Sequence, residues 1–332
     1  MFNLKKIFIT GGTGSFGKKF VPMTLKKFPN CQIIIYSRDE MKQWDMGIEY
    51  QNETRVKFLI GDVRDKNRLM HALNGVDYVV HAAATKIVPT AEYNPTECIK
   101  TNILGAMNVI EACSQAKVKK VVALSTDKAS NPINLYGATK LASDKLFVAS
   151  NALENEKGTV FSVVRYGNVM GSRGSVIPYF ISLADKGELP ITDKRMTRFM
   201  ISLEEAVKLV WHGLEDSLGG EIYVKKIPSM KVIDIAKIIA PKALHKIIGI
   251  RPGEKLHEQM IGLEDAQYTF EYSDHFKILP AIHGWNKDKK RIKQGKKVRD
   301  DFQYTSDKND QWMTQNFLKE WIIGNQNKIG NI

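Results

Sequence analysis

Lys6-Ile7-Phe8-Ile9-Thr10-Gly11-Gly12-Thr13-Gly14-Ser15-Phe16-Gly17 is the stretch that decides the fold. A short apolar run reads as a buried strand, and Gly11, Gly14 and Gly17 follow it at G-x-x-G-x-x-G spacing. Glycines so placed serve a tight turn, close approach of the backbone to a pyrophosphate, and close packing of the next helix. That helix is expected over residues 15 to 28, ended by Pro29-Asn30. Further strands read at residues 32–36, 56–60, 78–81, 121–124 and 160–166, with helical stretches between them. Alternation of this kind predicts an α/β fold, a doubly wound parallel sheet of the Rossmann kind. Residues 1–167 form the expected dinucleotide-binding domain. Residues 168–332, richer in Gly, Pro and Arg loops, form a smaller, partly interleaved C-terminal substrate-binding region with strands returning to the sheet.

Composition narrows the function classes. No window approaches eighteen uninterrupted apolar residues, and the N-terminus enters a strand with no cleavable apolar region, so a cytoplasmic protein without membrane attachment is expected. Cys31, Cys98 and Cys113 have no metal-like spacing and read as reduced, buried thiols, and no His stands at zinc-site spacing. No metal is expected. The formal charge of +13 admits nucleic acid, yet it equally suits polyphosphate ligands. The basic run over residues 287–297 lacks aromatic interleaving and reads as a solvated face, so no nucleic-acid partner is expected.

Cofactor contacts follow from the strand ends. Past the second strand come Ser37-Arg38-Asp39, with Arg38 where an acidic residue would bind an adenosine ribose. An Arg there accommodates a 2′-phosphate, which predicts NADP over NAD, with Asp39 keeping the alternative open. Asp62-Val63 after the third strand offers a carboxylate for the adenine amino group or a cap for the next helix. After the fourth strand, the small Ala82-Ala83-Ala84 lets a ligand approach the backbone. His81 is either a proton-transfer group or a packed strand-end histidine. Lys86 reaches substrate or solvent, and Asn102 interrupts an apolar helix face to serve the cofactor or bridge backbone.

The fifth strand delivers Ser125-Thr126-Asp127-Lys128, then Asn134-Leu135-Tyr136-Gly137-Ala138-Thr139-Lys140. Tyr136 and Lys140, four apart, share one helix face. A lysine beside the phenol is expected to lower its pKa from about 10, making a base for a sugar or alcohol hydroxyl. Tyr304 and Lys308 repeat the spacing in a polar stretch, where it reads as coincidence. Arginines 173, 198 and 251 sit in loops suited to a lid with bidentate phosphate contacts, or serve structural ends.

The glycine run, the Ser125-Thr126 cluster and the Tyr136/Lys140 pair resemble the extended short-chain dehydrogenase/reductases. Asp127-Lys128, Arg-Tyr-Gly-Asn-Val at 165–169, Gly-Ser-Arg-Gly-Ser at 171–175 and Arg-Pro-Gly-Glu-Lys-Leu-His-Glu at 251–258 resemble the inverting UDP-GlcNAc 4,6-dehydratases. The segment from Asp301 to Trp312 is similar to the soluble branch that opens bacterial pseudaminic acid synthesis, a route to flagellin glycosylation or surface polysaccharide. The absence of a membrane-spanning extension argues against the membrane-bound branch. The resemblance implies oxidation at C4 by NADP, loss of water across C5 and C6, hydride return to C6 and reprotonation of C5 from the other face. It assigns Tyr136, helped by Lys140, and Thr126 to the C4 hydroxyl, Asp127 to the departing C6 hydroxyl, and Lys128 to the C5 proton. For that role Lys128 is expected to have a lowered pKa. It also implies UDP-GlcNAc contacts from Lys86, Asn168, Thr192, Arg251 and Glu254. NADP contacts are implied from Gly11, Thr13, Gly14, Ser15, Phe16, Gly17, Ser37, Arg38, Asp62, Val63, Ala82, Asn102, Ser125, Tyr136, Lys140 and Val169. A homo-oligomer, dimer or higher, goes with it. The rival readings are a UDP-sugar 4-epimerase, which needs no acid and base at 127 and 128, and a non-catalytic NADP-sensing protein.

Overall fold

The computed structural model describes residues 4–152, 158–326 and 329. Met1-Phe2-Asn3, with which the reading of the N-terminus begins, lies outside the described residues. Six strands, β1 (Lys6–Thr10), β2 (Gln32–Ser37), β3 (Val56–Ile60), β4 (Tyr78–His81), β5 (Lys120–Leu124) and β6 (Val160–Arg165), pair in parallel in the order β3-β2-β1-β4-β5-β6. This is the doubly wound order, and its direction reverses between β1 and β4, where such sheets open a ligand crevice. Ile222–Lys225 adds in parallel to β6. His275–Ile278, Thr269–Glu271 and Lys296–Lys297 then extend the same sheet antiparallel. The sheet therefore takes strands from both halves of the chain.

β1, β4 and β5 are nearly solid apolar residue because helices cover both faces, and Ile7, Phe8, Ile9, Val79, Val80, Val121 and Val122 are all sealed from solvent. Helix α1 (Ser15–Lys27) ends one residue before the sequence predicted, and Phe28 stacks edge-on against Trp211 at 5.8 Å. A second, methionine-rich core gathers Met170, Ile177, Phe180, Met196, Met200, Met230 and Ile235. The strand Thr197–Ile201 joins the two cores by period-two alternation: Phe199 and Ile201 face the main core, while Met200 faces the second. The chain leaving β6 runs into that junction, where Asn168 and Val169 pair with Met200 and Ile201.

The helix Leu135–Ser150, which carries Tyr136 and Lys140, is anchored from beneath. Asp144 Oδ2 accepts from Ser125 Oγ at 2.7 Å and pairs with the Arg165 guanidinium at 3.2 Å, all three residues being buried. Arg165 also donates to the Met260 carbonyl at 2.8 Å, joining the helix, β5, β6 and the C-terminal half in one network. Ser125, Arg165 and Asp144 thereby set the angle at which the helix leaves the sheet.

The three cysteines are free and buried. Within the basic 287–297 run most side chains are exposed, but Arg291 stacks on Trp285 and donates to the Leu218 and Gly219 carbonyls. Tyr304 is an interior group: its hydroxyl accepts from Ile227 N–H at 2.9 Å and lies 3.0 Å from the Ile227 carbonyl. No helix among the described residues is long and apolar enough to cross a membrane.

Removing the Asp144 carboxylate leaves the buried Arg165 guanidinium with only the longer 3.6 Å pairing to Asp265. Asp144→Ala is expected to lower unfolding stability by about 3 kcal/mol, read from urea melts; a loss under about 1 kcal/mol contradicts the anchoring role.

Candidate active site

The crevice between β1 and β4 is built for close backbone approach. Gly11 adopts φ +66°, and a Cβ there would lie 2.9 Å from the Ala83 backbone; one on Gly17 would lie 1.9 Å from the Gly12 carbonyl oxygen. Gly14 precedes α1 with no side-chain cap, so the positive end of the helix is left for an anion. Phe16 stacks on Phe20 at 5.5 Å, with Ser15 beside it at the first turn. These features fit a dinucleotide pyrophosphate. Thr13 Oγ1 donates to Ser37 Oγ at 3.1 Å, tying the glycine turn to the end of β2.

At the next strand ends, Asp39 is occupied: it caps the helix α2 (Glu40–Glu49) by accepting from Lys42 N–H at 3.0 Å, and it pairs with the Lys42 ammonium. Arg38 is left 62% exposed, with one guanidinium nitrogen 3.8 Å from Asp62. The helix after β3, Lys66–Ala72, is capped by Asp65, so Asp62 does not cap it. Instead Asp62 accepts from Arg64 N–H at 3.0 Å and pairs with the Arg64 guanidinium at 2.7 Å. Val63 packs beneath, where a Cβ on Gly105 would meet it at 2.8 Å.

Thr10, His81 and Ala82 lock β1 to β4. Thr10 Oγ1 accepts from the N–H groups of Ala82 and Ala83, both at 3.1 Å, so its hydroxyl proton is directed to His81 Nδ1 at 2.9 Å. His81 is sealed and packs on Phe147, and burial, with Lys140 adding, pulls its pKa down to about 3. It is a packed, neutral strand-end histidine. Asn102, also buried, accepts from Thr85 N–H at 2.9 Å and donates to the Thr85 carbonyl and to Thr139 Oγ1, both at 3.0 Å. Of its two expected roles the backbone bridge is the visible one. Lys86 lies on the adjoining loop, where desolvation first and then the charge of Arg173 pull its pKa down.

The sequence cluster after β5 converges at this edge. Thr126 caps a short turn, Asp127–Ala129, accepting from Lys128 N–H at 3.3 Å and donating to Asp127 Oδ1 at 2.9 Å. The same Thr126 hydroxyl lies beside the Tyr136 phenol and works against the rise of its pKa. Asn134 caps the helix by accepting from Gly137 N–H at 2.7 Å and donates to the Gly253 carbonyl at 2.8 Å, while the Lys255 ammonium donates to the Ser130 carbonyl at 2.6 Å. The 251–258 segment is thereby stitched onto the turn. A Cβ on Gly137 would lie 2.3 Å from the Lys128 carbonyl, so the turn and the helix meet without a side chain between them.

Electrostatics depart from two expectations. Burial pushes Tyr136 up to about 12, and the cation that chiefly opposes it is Lys128 rather than Lys140. Lys140 is itself buried, and desolvation lowers its pKa against the pull of Asp144. Lys128 was expected to have a lowered pKa. Burial works in that direction, but Asp127 at 3.1 Å and Glu258 at 3.0 Å outweigh it and the net shift is upward. Asp127 is raised by burial against the pull of Lys128, as a proton donor requires. Glu258, opposed by burial, is held below the usual carboxylate range by Lys128 and then Arg198.

Glu258 closes the 251–258 motif without an expected role, since its neighbours His257 and Gln259 carry no burial signal in sequence. Arg198, read as a lid arginine for phosphate or a structural group, is structural: it donates to the carbonyls of Thr197, Lys255 and Leu256 and stands 3.7 Å from Glu258. Arg251 is 58% exposed and pairs with Glu254. Thr192 is buried just past the strand Glu188–Ile191, and Asn168 and Val169 form a half-buried strand paired with Met200 and Ile201. At this edge the buried oxygens Asp127 Oδ2, Asn168 Oδ1, Glu254 Oε2 and Glu258 Oε2 have no hydrogen-bond partner among the described residues. Each such group costs about 1–3 kcal/mol, which a polar ligand would relieve. No cluster of metal-binding side chains occurs among the described residues.

A family profile described as polysaccharide biosynthesis protein matches residues 7–280. The UDP-N-acetylglucosamine 4,6-dehydratase (inverting) of Campylobacter jejuni subsp. jejuni serotype O:2 is 56% identical over 329 residues, 97% of this chain and 98% of that one. The UDP-glucose 4-epimerase of Rickettsia canadensis is 44% identical over 318 residues, 92% of each chain. Among solved structures, Pen from Bacillus thuringiensis aligns with a TM-score of 0.88 at 34% identity, over 98% of this chain and 99% of that one. DesIV, a dTDP-glucose 4,6-dehydratase from Streptomyces venezuelae solved with NAD, gives 0.68 at 23% identity over 76% and 86%, a likeness of fold.

The buried imidazole yields a pH prediction. The unfolded chain binds a proton at His81 below about pH 6.5, whereas the folded chain refuses it until about pH 3. Stability from the neutral ring is therefore intact above pH 6.5 and lost as the pH falls toward 3. His81→Gln is expected to flatten that decline by up to about 1.4 kcal/mol per pH unit in urea melts. An unchanged slope contradicts the assignment.

Proposed function

The chain belongs to the polysaccharide biosynthesis protein family of extended short-chain dehydrogenase/reductases, and from that premise we propose that it is an inverting UDP-GlcNAc 4,6-dehydratase, a hydro-lyase. The observation that carries the reading is the convergence of Asp127, Lys128, Thr126 and Tyr136 at the end of β5, a carboxyl and an amine 3.1 Å apart beside a phenol. Oxidation alone needs only the phenol. Removal of water across two adjacent carbons needs an acid for the departing hydroxyl and a base for the neighbouring proton.

A bound oxidised nicotinamide would supply a positive charge and a reversible hydride acceptor for the exchange between C4 and C6. Tyr136 removes the C4 hydroxyl proton, with Thr126 holding that hydroxyl and Lys140 behind on the same helix. Asp127, whose proton affinity burial has raised, protonates the C6 hydroxyl as it leaves. Lys128 takes the C5 proton, made acidic by the C4 ketone. The product is UDP-2-acetamido-2,6-dideoxy-beta-L-arabino-hexos-4-ulose, which would open pseudaminic acid synthesis and flagellin or surface glycosylation in the cytoplasm. Lys86, Asn168, Thr192, Arg251 and Glu254 are the proposed UDP-sugar contacts. The unpartnered oxygens of Asn168 and Glu254 support two of them. The remaining cofactor contacts are proposed at the glycine turn, Ser37, Arg38, Asp62, Val63, Ala82, Asn102, Ser125 and Val169. A homo-oligomer is part of the proposal.

Arg38 and the occupied Asp39 support NADP over NAD. A 2′-phosphate meeting the exposed guanidinium is worth roughly 1.4 kcal/mol or more, so NADP is expected to bind about tenfold tighter. Equal or tighter NAD binding in paired titrations refutes it.

The Rickettsia relatives favour one rival, a UDP-sugar 4-epimerase, and water loss separates the two. Wild-type protein given UDP-GlcNAc and NADP should yield the dehydrated 4-keto sugar by NMR, with no net change at the NADPH absorbance band. Lys128→Ala, less stable because it leaves the buried Asp127 and Glu258 uncompensated, should still bind NADP while losing about 100-fold or more in water elimination. Unimpaired turnover by that variant removes Lys128 from the mechanism, and an epimer without water loss removes the dehydratase reading.

A further inference from the structure

Lys128 has two carboxylate partners where the acid–base step needs one. Its Nζ stands 3.1 Å from Asp127 Oδ1 and 3.0 Å from Glu258 Oε1. Asp127 shares the turn with Lys128, whereas Glu258 arrives from the far half of the chain. Its peptide is clamped from both sides: Glu258 N–H donates to Ser306 Oγ at 2.9 Å, and the Glu258 carbonyl accepts from Ser306 N–H at 2.8 Å. The Ser306 hydroxyl also lies 2.7 Å from Thr197 Oγ1. Directly behind, Gln259–Ile261 pairs with Tyr304–Thr305. A carboxylate mounted this firmly and 2% exposed is held for a purpose beyond surface charge.

Resting on the dehydratase reading, we propose that Glu258 is a positioning residue for the elimination step, holding one N–H of the Lys128 amine so that the nitrogen lone pair is directed at the sugar rather than at protein. The protons balance. Transfer of one proton from Lys128 Nζ to Asp127 turns ammonium and carboxylate into a neutral amine and a neutral acid, with no change in total charge. Elimination then carries the C5 proton to Lys128 and the Asp127 proton to the departing C6 hydroxyl. The C5–H electrons become the C5–C6 double bond as the C6–O bond breaks and water leaves. The pair ends again as ammonium and carboxylate. Glu258 gains and loses nothing.

The charged and titratable groups around Lys128 are Asp127 on its own turn, Tyr136 on the helix, Arg198 on the strand Thr197–Ile201, and Lys255 and Glu258 on the 251–258 segment. Removing the charge of Glu258 leaves Arg198 and Lys255 less compensated, so the amine holds its proton less tightly. A pair that works with one shared proton then loses it at lower pH, which moves the alkaline limb of the rate profile downward.

The test compares wild type, Glu258→Gln and Glu258→Asp with UDP-GlcNAc and NADP. C4 oxidation is followed as NADPH absorbance in a single turnover, and elimination as product by NMR, across pH. For Glu258→Gln the alkaline limb of elimination is expected about one pH unit or more below wild type, a tenfold change in proton affinity. Oxidation should stay within roughly twofold. Glu258→Asp, which keeps the charge, should hold the wild-type limb while eliminating more slowly than it oxidises. An unmoved limb in Glu258→Gln, or oxidation and elimination slowed together in either variant, overturns the role. If Glu258→Gln does not fold, Glu258→Asp alone decides. Wild type that leaves UDP-GlcNAc unchanged instead removes the dehydratase reading on which the role rests.

Discussion

One ammonium between two buried carboxylates is the contact on which the rest of this structure depends. Lys128 belongs to the turn that leaves the sheet, Glu258 to a segment that returns from the second core, and their meeting requires both halves of the chain to be in register. Desolvating three charges is costly unless their geometry is fixed, because a misplaced partner leaves an uncompensated charge in a low-dielectric interior. The surrounding hydrogen bonds supply that fixity. Asn134 to the Gly253 carbonyl, Lys255 to the Ser130 carbonyl and Ser306 to both sides of the Glu258 peptide all bear on the same few residues.

The fold explains why the site lies where it does. Reversal of strand order between β1 and β4 opens the crevice, the glycine turn lets a pyrophosphate approach backbone, and β5 places its polar successor residues on the same edge. Beneath them, Asp144 and Arg165 hold the helix that presents Tyr136. The oxygens of Asp127 and Glu258 that find no hydrogen-bond partner among the described residues mark the cost of this design. Stability is given up where chemistry is to occur.

Much of the fold was legible because its determinants are local. Strand periodicity, the spacing of Gly11, Gly14 and Gly17, and Tyr136 four residues before Lys140 are all readable within a dozen residues. The charge state of Lys128 was only half legible: Asp127, its neighbour in sequence, pulls its pKa up first, but Glu258 adds to that pull and its approach depends on tertiary folding and leaves no periodic trace in sequence. Arg198 left its role open for a related reason: a loop arginine beside a phosphate-binding fold suggests ligand, yet its donors are spent on three carbonyls of its own chain. Asp39 and Asp62 illustrate a third cause. Carboxylates at strand ends can cap, pair or bind, and only the backbone geometry decided that Asp39 caps α2 while Asp65, rather than Asp62, caps the next helix.

The most direct measurement of the central claim is the geometry of the ternary complex with NADP and UDP-GlcNAc, solved crystallographically. The account predicts Lys128 Nζ about 3–3.5 Å from the sugar C5 and Asp127 within hydrogen-bond reach of the C6 oxygen, with Glu258 still holding the amine from behind. A sugar whose C5–C6 bond lies on the far side of the ring from Asp127 and Lys128 would contradict it.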